Sequence, residues 1–417
     1  MLELDERRPA PAPARPKATR EGTHRSRAPE ETLATLRRVM PALGITRLAD
    51  VTGLDDIGLP VVQAIRPNSR SLSVSQGKGA NLAFASASAL MESIETWHAE
   101  HVALPLQYAA WEELRLRARV IDVASMAHVR RSRFHPRLPM LWVEGEDLAD
   151  GGPVWVPYEV VHLDMRRPVP SGSGCFALSS NGLAGGNDLV EATIHAVCEL
   201  IERDATTLWA LGGDEVRAAT RVDPATVDDE GCRRLIDLYD AAGQAVGIWD
   251  ITGDVGVACF AVAMVDAVED ERQLGSFAGY GCHLDRGVAL SRALTEAGQS
   301  RLTHIAASRD DHGHASWDAG RGTDVRERAR RELVTTPCTR SFAAVPDLAT
   351  DDLDADLALL RHRLARAGFA EVVRVDLTRP ELGIPVARVV VPGLEASHSF
   401  PTYSPGRRAR AILDGGS

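Results

Sequence analysis

Carboxylates placed on helices that are otherwise apolar almost all round constrain this chain more than any other feature of its sequence. In ASASALMESIETW, Ser88, Glu92 and Glu95 fall at i, i+4 and i+7, which at roughly 100° per residue puts them on one helix face. Phe84, Ala87, Ala89, Leu90, Met91, Ile94 and Trp97 surround them. In EATIHAVCELIERD the same count places Glu191, Glu199 and Glu202 within a sector of roughly 80°, flanked by Ala192, Ile194, Val197, Leu200 and Ile201. A third helix carries Arg292, Glu296 and Gln299 at the same spacing, and Arg203 follows Glu202 on the second. An ionised carboxylate taken out of water needs a counter-charge, so these stripes call for hard cations, arginines, or both. Carboxylates converging from three helices, with arginines among them, make a cage suited to Mg2+ ions on a polyphosphate.

Plainer readings compete with this one. A single Glu-x-x-Glu on a helix is ordinarily a solvated face; two on mainly apolar helices, each after a Gly-rich turn, fit that reading poorly. The GKG segment at 77–79 reads as a turn before a helix, and the sequence contains no Gly-x4-Gly-Lys-Ser/Thr phosphate loop. His98, His101 and His195 read as structural histidines. Glu95-x-x-His98 is the pair that ferritin-like di-iron sites use, which makes a carboxylate-bridged di-metal redox enzyme a rival. It is the weaker one, because the second helix offers Glu199-x-x-Glu202 and strands intervene between the helices. A non-catalytic scaffold is the third class, and five carboxylates kept in an apolar setting argue against it.

The 417 residues suffice for one large domain or two of average size. Residues 1–24, rich in Pro, Ala and Arg, have little apolar surface to offset the entropy of ordering and are expected to be a flexible tail, with one domain over 25–417. A helix is expected from Pro29 to the glycine at 44. Three strand-turn-helix units follow. Strands at 61–65 and 71–75 lead through a QGKGAN turn into a helix over 83–100; LWVEGEDL and PVWVPYEVVHL precede the turn NGLAGGN and a helix over 189–208; FAVAMVD and FAGYGCHLD precede a helix over 287–307. A helix over 353–367 and the strands AEVVRVDL and VARVVV complete an internally repetitive α+β pattern. A net charge of -11 gives no electrostatic footprint for nucleic acid or an anionic membrane surface. The N-terminal segment has no signal-like apolar stretch and no later apolar run is long enough to span a bilayer, so a cytoplasmic protein is expected. The six cysteines form no Cys-x-x-Cys pair and read as reduced core residues.

QGKGANLAFASASALMESIETWHAEH, NGLAGGNDLVEATIHAVCELIERDA and GYGCHLDRGVALSRALTEAGQSR resemble, in this order, the three signature blocks of the YcaO family, and the similarity runs from about Gly22 to the C-terminus. The resemblance implies a YcaO fold, with repeated strand-turn-helix units around a central ATP and Mg2+ site. It implies Glu95, Glu199 and Glu202 as the principal magnesium ligands, supported by Glu92 and Glu296, and Ser88, Asn187, Glu191, Arg203 and Arg292 as nucleotide contacts. HRSRAPEET is similar to the family's N-terminal nucleotide-binding stretch, which adds Arg25 and Thr32. Glu199, Glu202 and Arg203 are the expected catalytic residues.

The family's chemistry is ATP-dependent activation of a backbone amide in a peptide or protein: a nucleophile attacks the amide carbon, the oxygen is phosphorylated, and phosphate leaves. A substrate Cys, Ser or Thr gives an azoline, sulfide a thioamide, an amine an amidine. Azoline-forming members commonly end in Pro-x-Pro-x-Pro, which the ending RRARAILDGGS does not resemble. LGITRLADVTGLDDIGLPV and the PGLEASHSF block are similar to members that act with a TfuA-type protein in thioamide formation. The expectation is therefore thioamide formation in a ribosomally made peptide or protein, with sulfur delivered by a TfuA-like partner; a cyclodehydratase is the alternative. The oligomeric state stays open, a homodimer included.

Overall fold

Three antiparallel sheets, each carrying one long helix, close into a ring. The computed structural model describes residues 15–268, 274–309 and 323–415. After helix α1 (Pro29–Leu43), a sheet of order β1-β2-β3 (Arg47–Asp50, Val61–Ile65, Val74–Lys78) leads into α2 (Leu82–Glu100). The largest sheet runs β4-β5-β12-β13-β7, with β6 paired to β5. Its strands are β4 (Leu106–Ala110), β5 (Pro139–Asp147), β6 (Pro153–Pro157), β7 (Leu183–Gly185), β12 (Val373–Asp376) and β13 (Val386–Val390), and β7 feeds α4 (Leu189–Leu211). A short α3 (Trp111–Leu114) follows β4. The third sheet, β11-β10-β9-β8 (Phe277–His283, Ala258–Asp266, Gln244–Asp250, Arg221–Val222), feeds α7 (Arg286–Ala306). The remaining helices are α5 (Gly213–Ala219), α6 (Glu230–Ala241), α8 (Thr323–Thr335), α9 (Leu353–Arg366) and α10 (Arg407–Gly415). Among the described residues no helix is long and apolar enough to cross a membrane.

Each long helix packs on its own unit and on the next. α2 lies on β3 and reaches β7; α4 lies on β7 and β13 and reaches β11; α7 lies on β11 and returns to β3. Each is started by the same local device, a side-chain N-cap: Asn81, Asp188 and Asp285 accept from the amides of Phe84, Glu191 and Val288. These caps put the three helices in one register. Seven residues beyond the cap stand Ser88, His195 and Arg292; eleven beyond stand Glu92, Glu199 and Glu296; fourteen beyond stand Glu95, Glu202 and Gln299.

The structure corrects two expectations. QGK is not a turn: β3 runs Val74–Lys78, and only the residues after Lys78 turn into α2. The glycines serve close packing here, since a Cβ on Gly77 would lie 2.0 Å from Ala89 N and 2.2 Å from Ala85 O, and one on Gly279 would meet α7 as closely. The second correction concerns residues 15–24, expected within a flexible tail. They lie on the fold, with Lys17 buried and its Nζ 2.6 Å from the buried Asp356 carboxylate, and His24 buried against His283. Polar pairing orders this stretch where apolar burial could not, which is why composition misjudged it. Residues 1–14 lie outside the described residues. Five of the six cysteines are buried and all are free thiols, with Cys338 the exposed one.

Candidate functional site

The acidic faces of α2, α4 and α7 meet inside the ring. Glu92 on α2 accepts from the Gln76 amide of its own sheet at 3.0 Å, while Glu95 accepts at 2.6 Å from Gly185 of the next. On α4, Arg203 stands 3.7 Å from Glu199 and 3.8 Å from Glu202. On α7, Glu296 is held at 2.7 Å by Lys78 of β3, Arg292 lies 3.3 Å from His195, and Gln299 donates to Gln76 O at 3.0 Å. Ser88 is exposed one turn before Glu92, at the mouth of this cleft.

A second cluster forms at the N-terminal end of α4. Glu191 is buried and receives Arg25 at 3.1 Å, the Ser26 amide and hydroxyl at 2.9 Å each, and the Asn187 amide at 3.1 Å. Thr32 donates to Asn187 Oδ1 at 2.8 Å. Arg25 and Thr32, far in sequence from Asn187 and Glu191, thus join them in one network. Burial alone would raise the Glu191 carboxyl; Arg25, Ser26 and Asn187 offset it and bring the group below its ordinary range.

The central carboxylates behave differently. Burial pushes Glu95 up to about 8, with repulsion from Glu92 and Glu199 adding to it. Burial likewise raises Glu202 to about 7, against the pull of Arg203, with Glu296 and Glu199 pushing further. Glu199 and Glu92 are raised for the same first reason, although Arg203, Arg388 and Arg292 draw Glu199 down and Arg309 and Lys78 draw Glu92 down. Only Glu296 ends below its ordinary value, because Lys78, Arg203 and Arg292 outweigh its burial. Carboxylates held up by burial and by one another are groups that added positive charge would ionise.

This donor set fits hard cations, being all oxygen and clustered on facing helices. Among the described residues no three His, Cys, Asp or Glu already converge on a single point. Mg2+ keeps several waters and takes one or two carboxylates together with substrate phosphates. Lys78, Ser26, Gln76, Arg309 and Arg388 also belong to the site and were not read from sequence. Lys78 and Gln76 were taken for part of a turn, and Ser26 and Arg388 lie in segments that were read without singling them out. His195, read as structural, stands in the site beside Arg292. His98 gives the di-metal reading no support: it is buried, its Nδ1 is 2.8 Å from Ile94 O, and the charges acting on it are Arg379, Glu381 and His101.

A ring of three capped helices directing carboxylates and arginines inward could hold a metal-bound polyphosphate without a phosphate loop. The chain belongs to the YcaO family: the family model described as YcaO cyclodehydratase, ATP- and Mg2+-binding, matches residues 76–395. ATP and Mg2+ are accordingly its cofactors. It is 36% identical over 400 residues to an uncharacterized protein in the tfuA 3' region of Rhizobium leguminosarum bv. trifolii, covering 94% of this chain and 93% of that protein. An uncharacterized protein of Methanothermobacter thermautotrophicus is 35% identical over 391 residues, 92% of this chain and 98% of that one. Among solved structures, a heterocyclase in complex with substrate and cofactor superposes with a TM-score of 0.78 at 22% identity, over 99% of this chain and 57% of that one. The YcaO from Methanopyrus kandleri bound with AMPPCP and Mg2+ superposes with a TM-score of 0.69 at 22% identity, over 94% and 100%. At these identities the superpositions establish the fold.

Proposed function

We propose that this protein activates a backbone amide of a peptide or protein by phosphorylating its oxygen, and that sulfide delivered by a TfuA-like partner then makes a thioamide. The observation that carries the amide-activating reading is the set of carboxylates Glu95, Glu199 and Glu202, buried or half-buried on two facing helices with Arg203 beside two of them. Support for sulfur as the nucleophile comes from the relative encoded in a tfuA 3' region. Nothing in the structure or the relatives supports a homodimer.

Glu95, Glu199 and Glu202 would hold the Mg2+ ions, with Glu92 and Glu296 behind them. The nucleotide supplies the phosphoryl group that turns a poor leaving oxygen into phosphate, and the metal ions neutralise charge on the phosphate oxygens. Arg203 and Arg292 face that charge from α4 and α7 and complete the clamp. Arg25, Thr32 and Asn187 orient the nucleotide from the N-terminal end of α4. In the overall step sulfide bonds to the amide carbon, the amide oxygen takes the γ-phosphoryl group, and the carbon–oxygen bond breaks. Peptide amide, hydrosulfide and ATP become thioamide, ADP and phosphate.

Reconstitution with ATP, Mg2+, sulfide and a candidate peptide, read by mass spectrometry, tests this. Exchange of oxygen for sulfur raises the peptide mass and supports the reading. Loss of one water at a substrate Cys, Ser or Thr without sulfide would replace it with cyclodehydration.

A further inference from the structure

On the face of the third sheet turned away from α7, small residues leave a hollow. The register puts Tyr280, Ala261 and Trp249 in one rung across β11, β10 and β9, and Ala278, Ala263 and Gly247 in a second. Alternate residues of a strand share a face, so both rungs open on the same side. Trp209 of α4 and Leu333 of α8 also line the hollow, which is open to solvent at Ala278 and has a volume of about 180 Å³. A volume of about 150 Å³ holds a benzene ring, so this hollow is large enough for one aromatic side chain, although Arg217, Ser276 and Glu332 line it beside its apolar walls. Its walls suit such a guest. The Trp209 and Trp249 rings lie 5.7 Å apart and tilted by 57°, a spacing that aromatic rings favour.

The cavity also holds unused donors. Trp249 is 3% exposed, and neither its Nε1–H nor the Arg217 Nε–H has a hydrogen-bond partner among the described residues. A buried donor without an acceptor is costly, and a ligand oxygen would relieve it. Tyr280 lines the cavity, and the charges that act on its hydroxyl are those of Glu296, Arg203 and Glu202 from the acidic cleft and of Arg217. Along α4, Trp209 stands seven residues past Glu202, roughly 10 Å further on. The Asn187 and Glu191 network lies at the opposite end of the same helix.

We propose that this cavity is a side-chain pocket for the peptide substrate, taking one aromatic ring from a residue near the amide under attack, with Trp249 and Arg217 donating to an oxygen of that residue. The identity of the ligand as a peptide rests on the proposed function; the pocket's chemistry does not. The test is a ligand-observed NMR titration of the full chain with N-acetyl-tyrosinamide, N-acetyl-leucinamide and N-acetyl-glycinamide. Tyrosinamide should bind saturably, leucinamide more weakly, and glycinamide not at all. Ala263→Leu, which fills the hollow, should weaken tyrosinamide by roughly tenfold or more, and Trp249→Phe, which removes a donor and leaves a smaller aromatic ring, by a smaller factor. Equal responses to tyrosinamide and glycinamide, or unchanged binding in a folded Ala263→Leu protein, would overturn the proposal. Should Ala263→Leu not fold, Ala278→Leu blocks the same rung from an exposed position and is read the same way. ATP–Mg2+ binding measured by calorimetry keeps the two readings separate: its absence beside intact tyrosinamide binding would count against the proposed function and leave the pocket standing.

Discussion

Glu95 and Glu100 stand on the same helix, both inside the protein, and their surroundings treat them in opposite ways. Glu100 is sealed from solvent and receives Arg66 at 2.5 and 2.9 Å, the Ser69 hydroxyl at 2.7 Å and the Ser71 amide at 2.9 Å. Burial would raise its carboxyl, and these donors more than offset that, leaving it below the ordinary range. Glu95 accepts from the Gly185 amide, and burial pushes it up to about 8. The difference separates a carboxylate that builds the fold from one that, in the function proposed above, takes a cation. Sequence spacing alone does not tell them apart, because both lie on one apolar helix.

The largest expected break in this comparison comes from the cation-facing side. Glu202→Gln should reduce ATP consumption with substrate by at least about a hundredfold, equivalent to about 3 kcal/mol of transition-state stabilisation, while the thermal midpoint stays or rises. Near-normal turnover in that variant would remove Glu202 from the metal set. On the structural side the pattern should reverse: Glu100→Gln leaves the Arg66 guanidinium buried without its partner and should cost about 3–5 kcal/mol in urea unfolding. An Arg66 variant that lost activity and kept stability would erase the distinction.

A pH series sharpens it further. The folded pKa of Glu100 lies below its unfolded value, so its contribution is fully present above the unfolded pKa of about 4.3 and is lost as pH falls through the folded value. Wild-type stability should therefore drop more steeply than that of Glu100→Gln on acidification below about pH 4, as urea midpoints would report. Parallel curves would mean that Glu100 is not the group responsible. The smallest effect belongs to the N-terminal network: Thr32→Val removes one neutral hydrogen bond to Asn187 and should weaken ATP binding by roughly twofold to tenfold, in line with about 0.5–1.5 kcal/mol. Calorimetry finding no change would place Thr32 outside the nucleotide contacts.

Much of this was legible beforehand for a local reason. The spacing of apolar residues after a turn predicts helices over 83–100, 189–208 and 287–307, and the structure has them over 82–100, 189–211 and 286–306, started by the Asn81, Asp188 and Asp285 caps. The carboxylates they carry could be listed from spacing alone. Lys78 was hidden because a Gly-Lys-Gly segment reads as a turn until a helix backbone is seen pressed against Gly77. Lys17 was hidden because a Pro- and Arg-rich stretch looks unable to order, and the buried Asp356 that orders it lies far along the chain.

What the sequence determined by itself was therefore short-range: which segments are helical, where each begins, and which side chains share a face. These follow from capping and from a period of about 3.6 residues, both set within a few neighbours. What only the tertiary structure decided was the charge state and company of those side chains. Whether a buried carboxylate is satisfied depends on donors brought in from distant strands, as Gly185 is to Glu95 and Arg66 is to Glu100, and burial itself exists only once the three sheets have closed into their ring.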